Sequence, residues 1–529
     1  MESARPETEV GHRRCAKQMN SDPRRTNPPN SRNSLFVTAM PRIVTMLLLF
    51  ASAAVFEAKN LSSLSALSNG DIWLHLRTGI WILQNHGVPH SGLFSQSLEL
   101  PWITSSWGYD VLVAVAFRML DLRSIPVLLM GFKLAFAGVA FLLAGGFRGR
   151  FWPAVGLSAT AQYILGNVQP GPGYCSILFF AAELLLLNES RETGRVRLLF
   201  WLPPLLLVWA NLDIQFVYGI LLVLLFLTTS LLEDLGRRSG VEHRQQKWAA
   251  VSPRNAGIVA TLCGIATFVT PYTYHLYGGF FASVTSAANR YFPDFNALGF
   301  RRPQDYVLML LTMAAFLVLG LRRSRDLFQI ALMIGCTMLS FHAQRDAWLA
   351  VLAAIAVIGG AIRETCRIAD ADNGRTWNRR VLISGGVSVA VAMVAAAVEI
   401  PRSHDALLAK VARTYPVAAC NYIREHHRED QLQLPQPLFN SYDWGGFLTW
   451  YLPEYPVVID GRSGLYDDDF IVQYFKVMNA EVPYQAYPAM AQAGTLLLQR
   501  NSMMSEALST LPAFRLAYGD SVAVVLTRP

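Results

Sequence analysis

The chain has 529 residues, of which 53% are hydrophobic and only 16% are charged. Soluble domains carry about 25% charged residues, so the composition excludes an ordinary soluble enzyme and predicts a polytopic membrane protein. The net charge of +8 does not predict a nucleic-acid partner, because Lys and Arg cluster in short segments between apolar runs, as in cytoplasmic loops. The six cysteines are scattered without CxxC spacing, which argues against a metal centre or a disulfide framework.

The N-terminal segment 1–42 is rich in Arg, Pro, Ser and Asn, and we interpret it as a disordered basic cytoplasmic tail. The apolar segment 44–56 is typical either of a signal-peptide core or of a short first transmembrane helix. The tail is long for a signal peptide and no small-x-small cleavage site precedes Glu57, so we favour a helix over about 41–58. A transmembrane domain then covers 43–400.

A polar and aromatic first outer loop, 60–124, separates this helix from the next apolar runs. Its amphipathic run begins at Asp71, where a helix N-cap would lie, and His75 follows one turn later on the same face. Trp73 and Trp81 are residues of the kind that settle at a membrane–water boundary. We therefore expect a helix that lies on the membrane with a carboxylate at its N-terminus.

The brief apolar run 109–120 carries charged residues and predicts a second surface-lying or half-inserted helix. Ten further runs follow, several near the short end of the ~17–25 residues usual for a span. When 109–120 is left out of the count, every basic loop faces one side. We therefore predict about eleven spans, with the N-terminus in the cytoplasm and the C-terminus outside. The ten runs are 125–146, 151–166, 172–188, 198–211, 214–234, 255–271, 304–321, 326–342, 344–361 and 380–398.

From residue 401 the apolar runs shorten to strand length and alternate with helical patterns. Segment 401–529 is therefore predicted to be a soluble α/β domain outside the membrane. The predicted fold is an α-helical polytopic membrane protein with this extracytoplasmic domain at its C-terminus. The predicted strands are 438–440, 456–460, 495–499, 514–518 and 522–526, and the predicted helices are 417–426, 443–452, 468–478 and 503–511.

Polar residues concentrate at the predicted outer ends of the spans and in the first outer loop. Such residues at membrane depth are costly and are often functional, although many also occur simply where helices leave the bilayer. We favour a site, because the predicted cytoplasmic ends carry mainly Lys and Arg. The cluster contains Asp71, His75, Arg77, Asn167, Gln169, Asn211, Asp213, Gln215, Tyr272, His275, Asp294, Arg301, Arg302, His342, Arg345 and Asp346.

Two further motifs lie in the C-terminal segment. The acidic run 467–469 contains Asp-x-Asp, which can bind a divalent metal, but acidic residues also begin helices, and we favour the helix start. No cofactor is predicted, and a divalent metal is not excluded. The aromatic and glycine-rich run 442–447, followed by 457–462, suits either sugar or peptide contact or a tight junction packed through glycine.

Residues 71–79, Asp-Ile-Trp-Leu-His-Leu-Arg-Thr-Gly, resemble the Asp-x-Trp-x-His-x-x-x-Gly stretch of bacterial GT-C superfamily membrane glycosyltransferases related to the protein mannosyltransferases (glycosyltransferase family 39). Residues 270–272, Thr-Pro-Tyr, are similar to a span-ending Asn-Pro-Tyr in those proteins. Residues 209–213, Trp-Ala-Asn-Leu-Asp, are similar to their Trp-x-Asn-x-His. Asn-Val-Gln-Pro at 167–170 stands where an Arg-Pro pair is expected. Residues 441–445, Ser-Tyr-Asp-Trp-Gly, resemble the Trp-Trp-Asp-Tyr-Gly signature of oligosaccharyltransferase catalytic subunits.

The resemblance implies transfer of a sugar, with inversion, from a polyprenyl-phosphate donor to a glycan, lipid or protein acceptor on the outer side of the cell (inner or plasma) membrane. Asp71 would be the general base. His75 would orient Asp71 or contact substrate, and Arg301, Arg302 or Arg345 would neutralise the lipid phosphate. A transporter or flippase of lipid-linked glycans, and an inactive envelope protein with the GT-C layout, are the alternatives. The predicted substrate-binding residues are His75, Arg77, Asn167, Gln169, Asn211, Asp213, Tyr272, His275, Arg301, Arg302 and Arg345.

Overall fold

The structure is a computed structural model, mostly helical with one small sheet near the C-terminus. The predicted tail and first span, Asn167, Gln169 and most of the predicted span 380–398 lie outside the described residues. The described residues are 70–146, 151–166, 168, 170–239, 251–322, 326–369, 387, 390, 394, 400–401, 403–428, 436–462 and 464–528.

Nine helices coincide with the nine predicted spans between 125 and 361, because long apolar runs whose prolines lie in the first turn favour helix. One further helix, His275–Thr285, lies in a segment that the sequence indicates only as an outer loop. In chain order the helices are α1 Gly70–Asn85, α2 Trp107–Leu120, α3 Ser124–Leu143, α4 Phe151–Ile164, α5 Gly173–Thr193, α6 Leu202–Leu212, α7 Phe216–Arg238, α8 Pro253–Thr267, α9 His275–Thr285, α10 Pro303–Leu321, α11 Leu327–His342 and α12 Ala347–Ala369.

Four helical segments among the described residues are long and apolar enough to cross a membrane. The first of them joins α2 to α3 through a short 3-10 turn. Two further apolar helical segments, Val196–Leu212 and Leu327–His342, are shorter. The count of about eleven spans stays a prediction. The four long segments are Trp107–Leu143, Phe216–Arg238, Pro303–Leu321 and Gln344–Thr365.

The core of the helical bundle is organised around α12. All residues from 348 to 357 are buried, so this helix is enclosed on every side by its neighbours, as a helix that is apolar all round has to be. Six of these ten residues are alanine or valine, whose small side chains allow α10 and α11 to pack closely against it. Helices α3 to α8 complete the same apolar core.

At the ends of the bundle that were predicted to be cytoplasmic, charged residues from different loops meet. Arg191 forms a buried ion pair with Asp326, with 2.8 Å between Nη1 and Oδ2. Arg363 donates to Glu192 across 3.0 Å. Three segments assigned to one side of the membrane from their charge therefore lie together in the structure.

The C-terminal segment contains the sheet, with strand order β1-β2-β4-β3. β1 and β2 are parallel, and the other two pairings are antiparallel. All four predicted helices and four of the five predicted strands are present. The elements are α13 His404–Val411, α14 Val417–Arg428, β1 Leu438–Asn440, α15 Gly445–Tyr451, α16 Asp468–Met478, α17 Pro488–Ala491, β2 Thr495–Gln499, α18 Met503–Ser509, β3 Arg515–Gly519 and β4 Ala523–Thr527.

The strand predicted over 456–460 does not form. Val457 makes only an isolated bridge with Ser95 of the first outer loop. The Asn440 side chain accepts from the backbone N–H of Val458 and donates to the carbonyl of Ile459, so it takes the hydrogen bonds that a neighbouring strand would supply. The segment consequently runs as an extended turn between β1 and the first outer loop.

Helix α1 packs between α2 and α15, which places it against the C-terminal segment. Trp73 is fully buried there, stacked on Trp450 with ring centroids 4.7 Å apart and in edge contact with Tyr415 and Phe447. The prediction that Trp73 lies at a membrane–water boundary is therefore wrong. An apolar helix face has the same sequence pattern whether it meets lipid or protein.

Candidate active site

Asp71 lies in the first turn of α1, one residue after the helix begins, rather than at the N-cap. Its side chain is exposed to solvent, yet the surrounding protein encloses it and removes much of its hydration. This desolvation raises the pKa of Asp71. The charge of His75 opposes the increase, whereas the carboxylates of Asp460, Asp294 and Asp443 add to it. We refer to Asp71 and these four residues, together with Gly461, as the Asp71 site.

His75 lies one helical turn after Asp71 and is half-buried. Its Nδ1 atom is 2.6 Å from Oδ1 of Asp110, a buried residue of α2. Asp110 also accepts hydrogen bonds from the hydroxyls of Thr104 and Ser106. This network fixes the imidazole ring beside the carboxylate of Asp71.

Helices α1 and α2, joined by His75 and Asp110, form the first wall of the Asp71 site, and the turn at 460–462 forms the second. Arg462 and Asp460 are both buried and form a two-pronged ion pair, with Nη2 2.6 Å from Oδ2 and Nε 2.9 Å from Oδ1. Nη1 of Arg462 donates to the carbonyl of Leu93, and the guanidinium lies 4.8 Å from the Trp102 ring centroid. The turn is thereby anchored to the first outer loop.

The 286–302 loop forms a third wall and connects the C-terminal segment with Arg345. Asp468 accepts from the Ser286 hydroxyl at 2.6 Å and from the backbone of residue 287, which ties the loop to the start of α16. The consecutive residues Asp294 and Phe295 lie in this loop. The charge of Asp294 acts on Asp71, and the Phe295 ring lies 4.1 Å from the guanidinium carbon of Arg345. Asp71 and Arg345 therefore both lie near consecutive residues of this loop.

The contact of Asp468 with residues 286 and 287 gives the acidic run 467–469 a structural role. The run lies at the N-terminus of α16, as favoured from the sequence. Among the described residues no group of three or more His, Cys, Asp or Glu side chains is arranged to hold a metal ion.

Asp213 is buried between α6 and α7 and accepts a hydrogen bond from the Ser176 hydroxyl. Its burial raises the pKa to about 6, although Ser176, the backbone N–H groups of residues 214 and 215 and the charge of Arg345 all act in the opposite direction. The charge of Asp213 also acts on His75. Asp213 is therefore near enough to both His75 and Arg345 for their charges to interact.

Asn211 and Tyr272 lie at the border of this region and have mainly structural partners. The Asn211 side chain accepts from the indole of Trp107 at 2.9 Å and donates to the carbonyl of Val269 at 3.0 Å. The Tyr272 hydroxyl donates to the carbonyl of Pro89 at 2.7 Å. These bonds join α6, α8 and the first outer loop.

The structure shows different surroundings for four other residues that were predicted to bind substrate. The Arg77 guanidinium lies over the Phe94 ring at 5.0 Å. His275 is exposed, and its ring lies tilted against that of its neighbour Tyr274. Arg301 is exposed, and Arg302 pairs with Asp305 in the first turn of α10 across 3.0 Å. Their predicted roles in substrate binding stay predictions.

The glycine-rich run 442–447 packs tightly against α1. A Cβ on Gly446 would come within 2.4 Å of the carbonyl oxygen of Gly70, so only glycine allows this approach. Trp444 is buried and donates its indole N–H to the carbonyl of Thr414. Of the two interpretations of this run, the structure favours the junction packed through glycine.

Sequence reasoning missed Asp110, Asp460 and Arg462 as members of the site. Asp110 gave a detectable signal, since a carboxylate inside an apolar run is costly unless it has a partner. Arg462, the partner of Asp460, bonds to Leu93, 369 positions earlier in the chain, and no local pattern indicates such a pairing.

Neither a protein-family model nor a curated protein matches the chain. Solved structures do resemble it. ArnT from Cupriavidus metallidurans bound to undecaprenyl phosphate is 12% identical, with a TM-score of 0.45 over 91% of this chain and 97% of that one. The apo state of ArnT is 14% identical, with a TM-score of 0.43 over 91% and 98% of the chains. An Archaeoglobus fulgidus oligosaccharyltransferase tethered to an acceptor peptide is 12% identical, with a TM-score of 0.47 over 86% and 69%.

These neighbours are GT-C glycosyltransferases, the superfamily that residues 71–79 resemble. The likeness concerns the course of the chain, and the function proposed below rests on the side chains of this protein.

Proposed function

We propose that the protein is a membrane glycosyltransferase that moves a sugar, with inversion, from a polyprenyl-phosphate donor to an acceptor outside the membrane. The observation that carries the proposal is the carboxylate of Asp71, which is open to solvent but enclosed by three walls of protein. A general base needs access to the acceptor hydroxyl and a pKa near the working pH. The raised pKa of Asp71 suits it to that role.

In this mechanism Asp71 takes the proton from the acceptor hydroxyl as the oxygen attacks the anomeric carbon of the donor. The bond from that carbon to the lipid phosphate breaks, and the phosphate leaves from the opposite face. His75, held by Asp110, keeps the Asp71 carboxylate oriented and compensates part of its charge. Since the displacement happens once, the configuration at the anomeric carbon inverts.

Arg345 is the proposed partner of the leaving phosphate. It is half-buried, and its Nε atom has no hydrogen-bond partner among the described residues, with Asp346 3.8 Å away. A guanidinium matches the geometry of a phosphate and stabilises its developing charge. Arg345 contacts Phe295, the residue after Asp294, whose charge acts on Asp71, so the proposed phosphate site and the proposed base both lie near the 286–302 loop.

The contact between α1 and α15 supports the proposed topology. Asp71 and the C-terminal segment have to lie on the same side of the membrane because they touch. The basic loops that hold Arg191 and Arg363 meet partners at the opposite ends of the helices. We propose that the first group is extracytoplasmic and the second cytoplasmic, in a protein with about eleven spans. Segment 401–529 would then be an extracytoplasmic domain that encloses the site.

The test uses the purified full chain, labelled polyprenyl-phosphate sugars and candidate glycan, lipid and peptide acceptors. We expect the unmutated protein to transfer label and Asp71→Asn to lose transfer by at least ~10²-fold, the contribution typical of a general base. Asp405→Asn, which changes an exposed carboxylate on α13, is the matched control and should retain full activity. Unchanged transfer by Asp71→Asn contradicts its role. Movement of lipid-linked glycan across proteoliposomes without any transfer supports a transporter instead.

A further inference from the structure

We propose that the turn Asp460-Gly461-Arg462 belongs to the active site and positions the carboxylate of Asp71. This inference rests on the proposed function of Asp71 as the base. In it, Gly461 is a positioning residue that determines where the carboxylate lies, and the buried pair of Asp460 and Arg462 holds the turn in place.

Gly461 approaches the carboxylate of Asp71 closely. A Cβ on residue 461 would lie 2.2 Å from Oδ1 of Asp71 and 3.3 Å from its Cγ. Among the described residues, the atoms it would meet within 4 Å all belong to the end of this side chain, which can rotate away. An added methyl group would therefore displace the carboxylate and leave the backbone around it largely undisturbed.

The turn at 460–462 is held rigidly by hydrogen bonds. Arg462 is buried and uses Nε and Nη2 on Asp460, and its backbone N–H also donates to Oδ1 of Asp460 at 3.0 Å. Nη1 is held by the carbonyl of Leu93. With all three guanidinium nitrogens hydrogen-bonded, the turn cannot retreat from an added methyl group, and Asp71 has to move instead.

Charged groups from several elements surround the carboxylate of Asp71. His75 faces Asp71 from its own helix, Asp443 from the 3-10 helix Tyr442–Trp444, Asp294 from the 286–302 loop and Asp460 from the turn. Burial and the three acidic neighbours raise the pKa of Asp71. A carboxylate moved away from Gly461 enters a different balance of these charges, so the pH dependence of the reaction should change together with its rate.

The structure provides a matched pair of variants. Gly461→Ala inserts a methyl group against Asp71, whereas Gly464→Ala, three residues later, inserts one where no atom of the described residues, its chain neighbours apart, lies within 4 Å. We expect Gly461→Ala to lower kcat by about 10²-fold, the effect of misplacing a reacting group by about 1 Å, and to shift the acid limb of the pH profile. KM for the donor and the melting temperature should stay close to the unmutated values. Gly464→Ala should match the unmutated protein in all four quantities.

A second measurement does not depend on activity. A water-soluble carbodiimide labels protonated carboxyl groups, and mass spectrometry of the Asp71 peptide gives the pH midpoint of labelling in the full chain. We expect Gly461→Ala to move this midpoint and Gly464→Ala to leave it unchanged. Equal midpoints and equal kcat for Gly461→Ala and the unmutated protein would overturn the inference. A shifted midpoint in a protein that transfers no sugar would instead support the positioning of Asp71 and overturn the proposed function.

Discussion

The Nδ1 atom of His75 lies 2.6 Å from Oδ1 of Asp110 and joins α1 to α2 beside the proposed base. Burial alone would lower the pKa of His75. The hydrogen bond and charge of Asp110, together with the charge of Asp71, outweigh burial and raise this pKa above 6.5. The protonated imidazole therefore contributes to the stability of the α1–α2 contact as well as to the charge of the site.

Replacing Asp110 with Asn should destabilise the protein in a pH-dependent way. Because the pKa of His75 is raised in the folded state, its stabilising contribution is fully present below the unfolded value of about 6.5 and is lost as the pH rises through the folded value. The melting temperature of Asp110→Asn should therefore fall further below that of the unmutated protein at pH 6 than at pH 9. Thr104→Val, which removes a hydroxyl bonded to Asp110 and no charge, should give the same deficit at both values. A deficit of Asp110→Asn that is independent of pH would refute this account.

The ion pair of Asp460 and Arg462 should be far more important for stability than an exposed pair. Arg462→Met leaves the Asp460 carboxylate buried without its partner, which typically costs about 3–5 kcal/mol in the free energy of unfolding. Arg238→Met breaks the pair with Asp234, whose two side chains are 77% and 27% exposed, and such pairs contribute about 0–1 kcal/mol. Denaturant titration of both variants in detergent measures the difference. Similar losses for the two would mean that Asp460 finds another partner.

Local sequence patterns were sufficient to predict most elements of this fold. Long apolar runs gave the helices of the bundle, and α16 begins and ends at the predicted residues because an acidic run precedes an apolar helical stripe. Asp71 itself was identified from a motif and from its place after an apolar segment.

The parts that could not be predicted depend on contacts between distant segments. Trp73 lies on an apolar face that meets α15 instead of lipid, and composition alone does not distinguish these partners. The strand predicted over 456–460 is replaced by hydrogen bonds to the Asn440 side chain and to the first outer loop. The walls around Asp71 exist only after residues separated by hundreds of positions have come together.

Glu183 should be a position where a substitution stabilises the protein. The side chain is fully buried in α5, and neither carboxyl oxygen has a hydrogen-bond partner among the described residues. A buried polar group without a partner costs about 1–3 kcal/mol, so Glu183→Leu should raise the melting temperature. Glu192→Leu, nine residues further along the chain, should lower it because it breaks the contact with Arg363. A lower melting temperature for Glu183→Leu would show that this carboxyl has a stabilising role.

Asp213 should make the stability of the protein fall as the pH rises from about 4 to about 6. Its burial raises the pKa from 3.8 to about 6, so in this interval the folded state holds a proton that the unfolded state has released. This contribution is fully present below the unfolded value and lost above the folded value, a total on the order of 3 kcal/mol. Asp213→Asn carries no charge at any pH. Its melting temperature relative to the unmutated protein should therefore be higher at pH 7.5 than at pH 4.5.

Ser176→Ala is the control for this measurement, because it removes the hydroxyl that donates to Asp213 without removing the titrating group. Its effect on the melting temperature should depend much less on pH than that of Asp213→Asn. If the difference between Asp213→Asn and the unmutated protein were the same at both pH values, Asp213 would have to be ionised throughout the interval. The charge of Arg345 would then outweigh the burial of Asp213, and Arg345 would be less available to the phosphate of a donor lipid.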